Sequence, residues 1–459
     1  MQSAASATSH SPSVDLLRRT VIVTMLGGFL FGYDTAVING AIQYLRLGFG
    51  LDATQEGLAG AGAILGCIPG ALLAGWLSDW IGRRRALMIC ALLFAVSGLL
   101  SALPRTFPEF LAARIIGGLA IGGSSMICPV YIAELAPAQK RGQLGTMFQL
   151  GIVVGIFLTL LVNASIQRLG DEVWNAARGW RWMLGAEVLP AAALFLLLPT
   201  APESPRWLLS TGRDSEAHAM LVALLGEAAA SDEIAGIRDT LDRDEGSFRE
   251  LFGIAVRRPM AIAIVLMAVS QLSGINAIMY YSTRIFASAG HGVADAFSAS
   301  VVIGIVNLVF TLVALAFVDR AGRRPLLLIG LATQLIALSV VALMFGNGVS
   351  GWWLLVPILI FIASFAMALG PIPWILCSEI FPNRLRGKAM SLATMTIWAT
   401  CYLVAQTFPM LNDSPRFGPV MTFGCYAAVS FLGLLFVATL VPETKGKTLE
   451  QIEATWRTV

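Results

Sequence analysis

Three ionisable residues stand inside long apolar runs. They are Asp34 in Phe31-Gly-Tyr-Asp34-Thr-Ala-Val-Ile, Arg114 in Ala113-Arg114-Ile-Ile-Gly117-Gly118, and Glu187 in Gly185-Ala-Glu187-Val-Leu-Pro190. Charge is costly in hydrocarbon, so each marks a functional position by default. A lone carboxylate there takes up a proton, because desolvation disfavours its charge, and a neighbouring guanidinium pulls the balance back. An Asp and an Arg poised between these two effects can load and release a proton. The same pair can also serve as a fixed ion pair holding two helices together, and the residues alone leave both readings open.

A second inventory is uncharged: Gln149, Gln271, Asn276, Tyr280, Tyr281, Asn307 and the interrupted run Gly370-Pro371-Ile-Pro373-Trp374. Amides give and take hydrogen bonds with hydroxyl groups, and an indole packs against an apolar ring face. Together they suit a neutral polyol. A single amide of this kind often only bridges two helices, so it is their number that points to a site.

Other chemistries find no support. The histidines (10, 218, 291) are scattered through the tail and loops, and the six cysteines (67, 90, 128, 377, 401, 425) include no Cys-x-x-Cys pair. These are packing thiols rather than metal ligands or disulfides. Gly62-x-x-x-Gly66-x-x-x-Gly70 lacks both the preceding strand and the Gly-Lys-Ser/Thr of a nucleotide loop, and small residues every four positions let membrane helices approach closely. No catalytic group, cofactor or metal is expected.

The elements that must position these side chains follow from composition. AVILMFWYC residues make up 57% of the chain and charged residues 13%, about half the charged share of a soluble domain. Apolar stretches long enough to cross a bilayer recur near 20–43, 56–78, 85–102, 107–132, 143–166, 180–199, 257–287, 296–318, 325–345, 351–380, 388–410 and 417–441. A lipid-facing backbone must satisfy its own hydrogen bonds, so these are twelve helices. With both termini in the cytoplasm, 23 of the 31 Lys and Arg residues fall in the tails and inward loops, which selects that orientation. The net charge of +3 therefore reflects membrane sorting and points to no nucleic-acid partner. The first apolar run has no small-residue cleavage signature after it and is read as a retained span.

The chain also repeats itself. Asp79-Trp-Ile-Gly82-Arg83-Arg84 returns as Asp319-Arg-Ala-Gly322-Arg323-Arg324, 240 residues on. Glu134-Leu-Ala-Pro137-Ala-Gln-Lys-Arg141-Gly142 returns as Glu379-Ile-Phe-Pro382-Asn-Arg-Leu-Arg386-Gly387 at 245, and Pro202-Glu203 as Pro442-Glu443 at 240. Three ordered echoes at nearly one spacing indicate an internal duplication. The expected organisation is a tail (1–19), a six-helix bundle (20–200), a polar linker with short amphipathic helices (201–256), a second bundle (257–441) and a C-terminal tail (442–459).

These duplicated motifs resemble the major facilitator superfamily. Pro202-Glu-Ser-Pro-Arg206-Trp-Leu, Pro442-Glu-Thr-Lys-Gly446-Lys-Thr-Leu-Glu, Tyr131-Ile-Ala-Glu-Leu-Ala-Pro137 and Ser378-Glu-Ile-Phe-Pro382 resemble its sugar porter branch, from about residue 20 to 455. Phe31-Gly-Tyr-Asp34-Thr-Ala-Val-Ile looks most like the bacterial sugar/proton symporters. The resemblance implies that Asp34 takes the proton with Arg114 as its partner, Glu187 adding to the same site. It places Phe31, Gln149, Gln271, Asn276, Tyr280, Asn307, Gly370, Trp374 and Trp398 around the sugar. It also makes Arg83, Arg84, Glu134, Arg141, Arg323, Arg324, Glu379 and Arg386 an inner salt-bridge network that favours the outward-open state. Two positions depart from the pattern, Ser270 and Ile397, where related symporters carry amides. Both are expected to thin the hydrogen bonding of the pocket.

The expected fold is an all-α membrane protein of twelve helices in two pseudo-symmetric bundles, with the site at the midplane between them. The expected function is proton-coupled import of a monosaccharide, hexose or pentose, by alternating access. The partners are the sugar, the proton and the lipid bilayer of a bacterial inner membrane, and the chain is expected to act as a monomer. A passive sugar facilitator, with Asp34 structural, is the first alternative, and a membrane sugar sensor the second.

Overall fold

The computed structural model describes residues 12–136, 141–242, 250–251, 253–290, 292–349, 351–381 and 383–445, and among them every regular element is a helix. Spans 1 to 6 are Pro12–Phe49, Ala53–Ile81, Arg83–Ala102, Phe107–Leu135, Arg141–Gln167 and Glu172–Thr200. Spans 8, 9, 11 and 12 are Val293–Ala321, Arg323–Gly346, Asn383–Asn412 and Gly418–Leu440. Span 7 consists of Ile254–Leu272 and Ile275–Ser288, and span 10 of Leu355–Met367 and Ile372–Ile380. Eleven of the twelve are long and apolar enough to cross a membrane. Span 11 falls short on apolarity because Thr, Tyr and Gln interrupt it, yet its 30 residues reach about 45 Å.

Glycine spacing decides how closely the helices of the first six spans approach. A Cβ on Gly70 would stand 2.5 Å from the Leu119 carbonyl oxygen, and one on Gly118 would run into the Ala63 carbonyl. Spans 2 and 4 therefore pack backbone to backbone along the Gly62, Gly66, Gly70 stripe, as small-residue spacing dictates. Spans 1 and 5 do the same, with Gly28 and Gly32 against Phe148 and Ile152, and Gly155 against Phe29. This contact seats the Arg114 helix against the bundle centre, where span 1 carries Asp34.

The breaks fall where polar residues cluster. Between the two helices of span 7, Gly274 has φ +92°, and a Cβ there would also strike the Tyr426 ring at 2.5 Å. Only glycine satisfies both constraints. Span 10 breaks at Ala368-Leu369-Gly370-Pro371, where Pro371 supplies no N–H. Span 6 reads in sequence as one segment over 180–199. The structure starts it at Glu172 and interrupts it at Ala186–Glu187, just before Pro190.

The linker forms three short helices, Pro205–Ser210, Asp214–Leu225 and Glu227–Asp242. They bury Trp207, Leu208, Leu209 and Ala217 together, and Trp207 Nε1 donates to the Asp79 carbonyl at 2.9 Å. The linker is thereby docked on span 2.

Candidate functional site

Asp34, Arg114 and Glu187 converge in the first bundle, and each is fully buried. Arg114 Nη1 is in direct ion-pair contact with Asp34 Oδ1, and its Nη2 donates to the Asp34 carbonyl oxygen at 2.8 Å. The guanidinium thus grips both the side chain and the backbone of one residue, a geometry lysine cannot copy. Glu187 faces the same pair from span 6. Asp34 Oδ2 and Glu187 Oε1 have no hydrogen-bond partner among the described residues. Two buried carboxyl groups therefore lie near one guanidinium, which among the described residues is paired with Asp34 alone.

Of the uncharged residues, Gln271 and Asn276 meet at the break of span 7. Asn276 Nδ2 donates to Gln271 Oε1 at 2.6 Å, and Gln271 Nε2 donates to Ser270 Oγ at 3.0 Å. Ser270 Oγ in turn donates to the Met267 carbonyl, so these three polar side chains form one chain. Gln149 and Asn307 make no hydrogen bond among the described residues. Phe31 and Trp398 bring a first-bundle ring and a second-bundle ring to 5.7 Å, with Phe148 behind Phe31 at 6.4 Å. The buried Trp398 Nε1 donor has no partner among the described residues. Tyr280 is buried with its hydroxyl 3.9 Å from Cys401 Sγ, whereas Trp374 is 38% exposed.

Ile397 is buried beside its chain neighbour Trp398, in an apolar cluster that includes Val269, Leu376 and Ala393. Ser270 is also buried, but it takes part in the polar chain.

The side of the molecule away from the linker is sealed between bundles. Arg284 of span 7 contacts Glu56 at 2.7 Å and Asp413 at 2.6 Å, and Arg46 lies 3.6 Å from Glu56 and 3.4 Å from Asp413. Glu56 is fully buried. Tyr281 donates to the Glu56 carbonyl at 3.5 Å, and Asn39 of span 1 donates to the Met279 carbonyl at 2.7 Å and to Ser282 Oγ at 2.6 Å. The sequence did not single out these charges: Glu56 opens the run 56–78 and Arg284 lies near the end of 257–287, so neither sits mid-span.

On the linker side the pairs stay within a bundle. Arg83 binds Glu134 through two bonds of 3.0 Å, and Arg323 binds Glu379 at 3.0 Å. Arg84 and Arg324 reach carbonyl oxygens, of Ala201 and Ala438, rather than carboxylates. Glu203 accepts from the backbone N–H groups of Arg83 and Arg84, and Glu443 repeats this with Arg323 and Arg324. The side chains of Arg141 and Arg386 lie outside the described residues.

Comparison with known proteins places this arrangement. A family model described as sugar (and other) transporter matches residues 20–456. The chain is 41% identical to an arabinose-proton symporter of Bacillus subtilis, covering 94% of this chain and 93% of that protein. It is 38% identical to a D-xylose-proton symporter of Escherichia coli over 95% and 94% of the two chains. It is also 35% identical to a glucose facilitated diffusion protein of Zymomonas mobilis, over 98% and 99%. Among solved structures, the xylose transporter of Escherichia coli in an inward-open conformation superposes with a TM-score of 0.86 at 36% identity, covering 96% of this chain and all of that one.

Proposed function

The chain belongs to the sugar (and other) transporter family, and from that premise we propose that it imports a monosaccharide together with a proton by alternating access. It is a multi-pass membrane transporter and not an enzyme. The observation that carries the coupling is the buried site in which Asp34 and Glu187 face a single Arg114. One cation cannot offset two carboxylates in a low-dielectric pocket, so a proton binds there readily. The proton-symporter names of the relatives support the same reading.

The sugar binds between Phe31 and Gln149 on one side and Gln271, Asn276, Tyr280, Asn307, Gly370, Trp374 and Trp398 on the other. The side chains of Gln149, Asn307 and Trp398 offer donors and acceptors that no described residue takes up. The substrate is a pentose or a hexose.

The bundles 20–200 and 257–441 are the moving bodies. The linker and both termini face the cytoplasm of a bacterial inner membrane, as the sorting of Lys and Arg requires. The seal at Glu56, Arg284 and Asp413 then closes the external side, which makes this an inward-facing state. Arg83, Arg84, Glu134, Arg141 and their repeats Arg323, Arg324, Glu379, Arg386 brace the cytoplasmic ends. A single chain in the lipid bilayer contains the whole site, so the monomer is the working unit.

Passive facilitation is the second reading, favoured by the likeness to a facilitated diffusion protein. Membrane vesicles with an imposed inward proton gradient separate the two. Arabinose, xylose and glucose are offered singly and in competition. Accumulation above equilibrium that collapses with the gradient supports symport, and equilibration that ignores the gradient supports facilitation.

A further inference from the structure

The second oxygen of Asp34 points at a small gap whose other wall is a serine. A Cβ built on Gly117 of span 4 would stand 2.5 Å from Asp34 Oδ2 and 2.5 Å from Ser97 Oγ of span 3. The two oxygens are therefore separated by at most twice that distance, across a bare glycine Cα. Asp34 Oδ2 has no partner among the described residues, whereas Ser97 Oγ donates its proton to the Ala113 carbonyl at 2.9 Å. The Ser97 hydroxyl is fully buried and keeps its lone pairs free to accept. The next residue, Gly98, lets Glu187 approach, since a Cβ on Gly98 would lie 3.3 Å from Glu187 Cβ. Ser97 and Gly98 are thus the floor between the two carboxyl groups.

We infer that Ser97 is a positioning residue of the proton site: its Oγ accepts the hydrogen bond of Asp34 when Oδ2 is protonated, across the gap left by Gly117. This rests on the reading of Asp34 as the proton acceptor. Ionised Asp34 is held by Arg114 through Oδ1. Protonation on Oδ2 creates an O–H donor in a pocket that offers few acceptors, and a buried donor without a partner is costly. Ser97 serves as acceptor because its own proton is already committed to Ala113, and a small rotation of the protonated carboxyl closes the gap. No covalent bond changes besides the O–H: the proton arrives from the external solvent, stays on Asp34 through the transition and is released to the cytoplasmic side. The other groups facing the site are Glu187 of span 6, the Cys67 thiol of span 2 toward Asp34, the Tyr280 hydroxyl of span 7 toward Arg114, and the Tyr33 hydroxyl toward Glu187.

The test is the pH profile of proton-driven sugar uptake in vesicles, with the best-transported of arabinose, xylose and glucose as probe. Ser97→Thr and Ser97→Val add the same methyl group and differ in the hydroxyl. Loss of the acceptor disfavours protonated Asp34, so Ser97→Val and Ser97→Ala should move the midpoint acid-ward by about half to one pH unit. Ser97→Thr should keep the wild-type midpoint. A midpoint unmoved in Ser97→Val, or moved toward alkaline pH, overturns the assignment, the latter because it makes Ser97 a donor to the carboxylate. A change in maximal rate at an unchanged midpoint marks a packing role and overturns it equally. Asp34→Asn in the same vesicles separates the premise: accumulation that survives this change overturns the proton role of Asp34 itself.

Discussion

The two bundles are built on one repeated plan and carry opposite chemistry. At the offsets of the duplicated motifs, Asp34 corresponds to Gly274, Arg114 to Leu359 and Glu187 to Ala427. The first bundle thus holds three buried charges where the second holds none. The second bundle places Gln271 and Asn276 at a helix break where the first runs an unbroken span 1 from Pro12 to Phe49. The scaffold of close-packed helices tolerates either inventory, because glycine faces and end motifs set the architecture. The chemistry is carried by a few side chains placed on it. In the proposed account, the first bundle handles the proton and the second handles most of the sugar.

The largest expected effect breaks that division outright. Asp34→Asn mimics the protonated acid, so accumulation of sugar against its gradient should fall to equilibrium while counterflow exchange persists. Radiolabelled sugar in vesicles reads both, and undiminished accumulation would mean that the buried charges of the first bundle do not serve coupling.

Next comes the contact where the bundles meet. Arg284→Gln leaves the buried Glu56 with Arg46 alone, at 3.6 Å, a loss of up to about 3 kcal/mol that falls only on the externally sealed state. The population should shift toward external opening, and Glu56→Gln added to Arg284→Gln should reverse much of it. A cysteine introduced at Gln406, whose side chain donates to the Thr54 carbonyl across the seal, should label faster with an impermeant thiol reagent in the single variant, with Cys425 replaced to remove the exposed native thiol.

Smaller effects sharpen the second-bundle half. Asn276→Ala should weaken sugar binding about three- to tenfold, the size of one net hydrogen bond, without moving the pH midpoint of uptake. Ile397→Gln places an amide among Val269, Leu376 and Ala393 and should cost about 1–3 kcal/mol of stability unless a bound sugar takes up its hydrogen bonds. Isothermal titration and thermal melting distinguish the two outcomes.

The smallest effect concerns the repeated helix-end carboxylates. Burial alone pushes the Glu443 carboxyl up, but the backbone N–H groups of Lys445, Arg323, Arg324 and Thr444 outweigh it and hold the group below the usual carboxylate range. A folded value below the unfolded one stabilises the protein fully above the unfolded value, about pH 4.3, and that stabilisation is lost as pH falls through the folded value. Melting temperature should therefore drop less on acidification in Glu443→Gln than in wild type.

Much of this arrangement could be seen in the sequence. Apolar run length and the Lys and Arg bias gave the spans, and mid-span charge singled out Asp34, Arg114 and Glu187 because hydrocarbon leaves such residues no bland place to sit. The outer seal was hidden for the opposite reason. Glu56, Arg46, Arg284 and Asp413 lie near span ends, where charge is cheap and common, and only the packing of distant helices makes Glu56 fully buried. Ser97 gave no signal either, since a serine in a span bonds its own backbone as often as anything else.

The most direct measurement is the pH of a weakly buffered medium around de-energised vesicles when sugar is added outside. The account predicts transient alkalinisation of the medium with wild type, as each sugar takes a proton inward, and no alkalinisation with Asp34→Asn despite continued exchange. Sugar entry through the wild type with no change in external pH would contradict it.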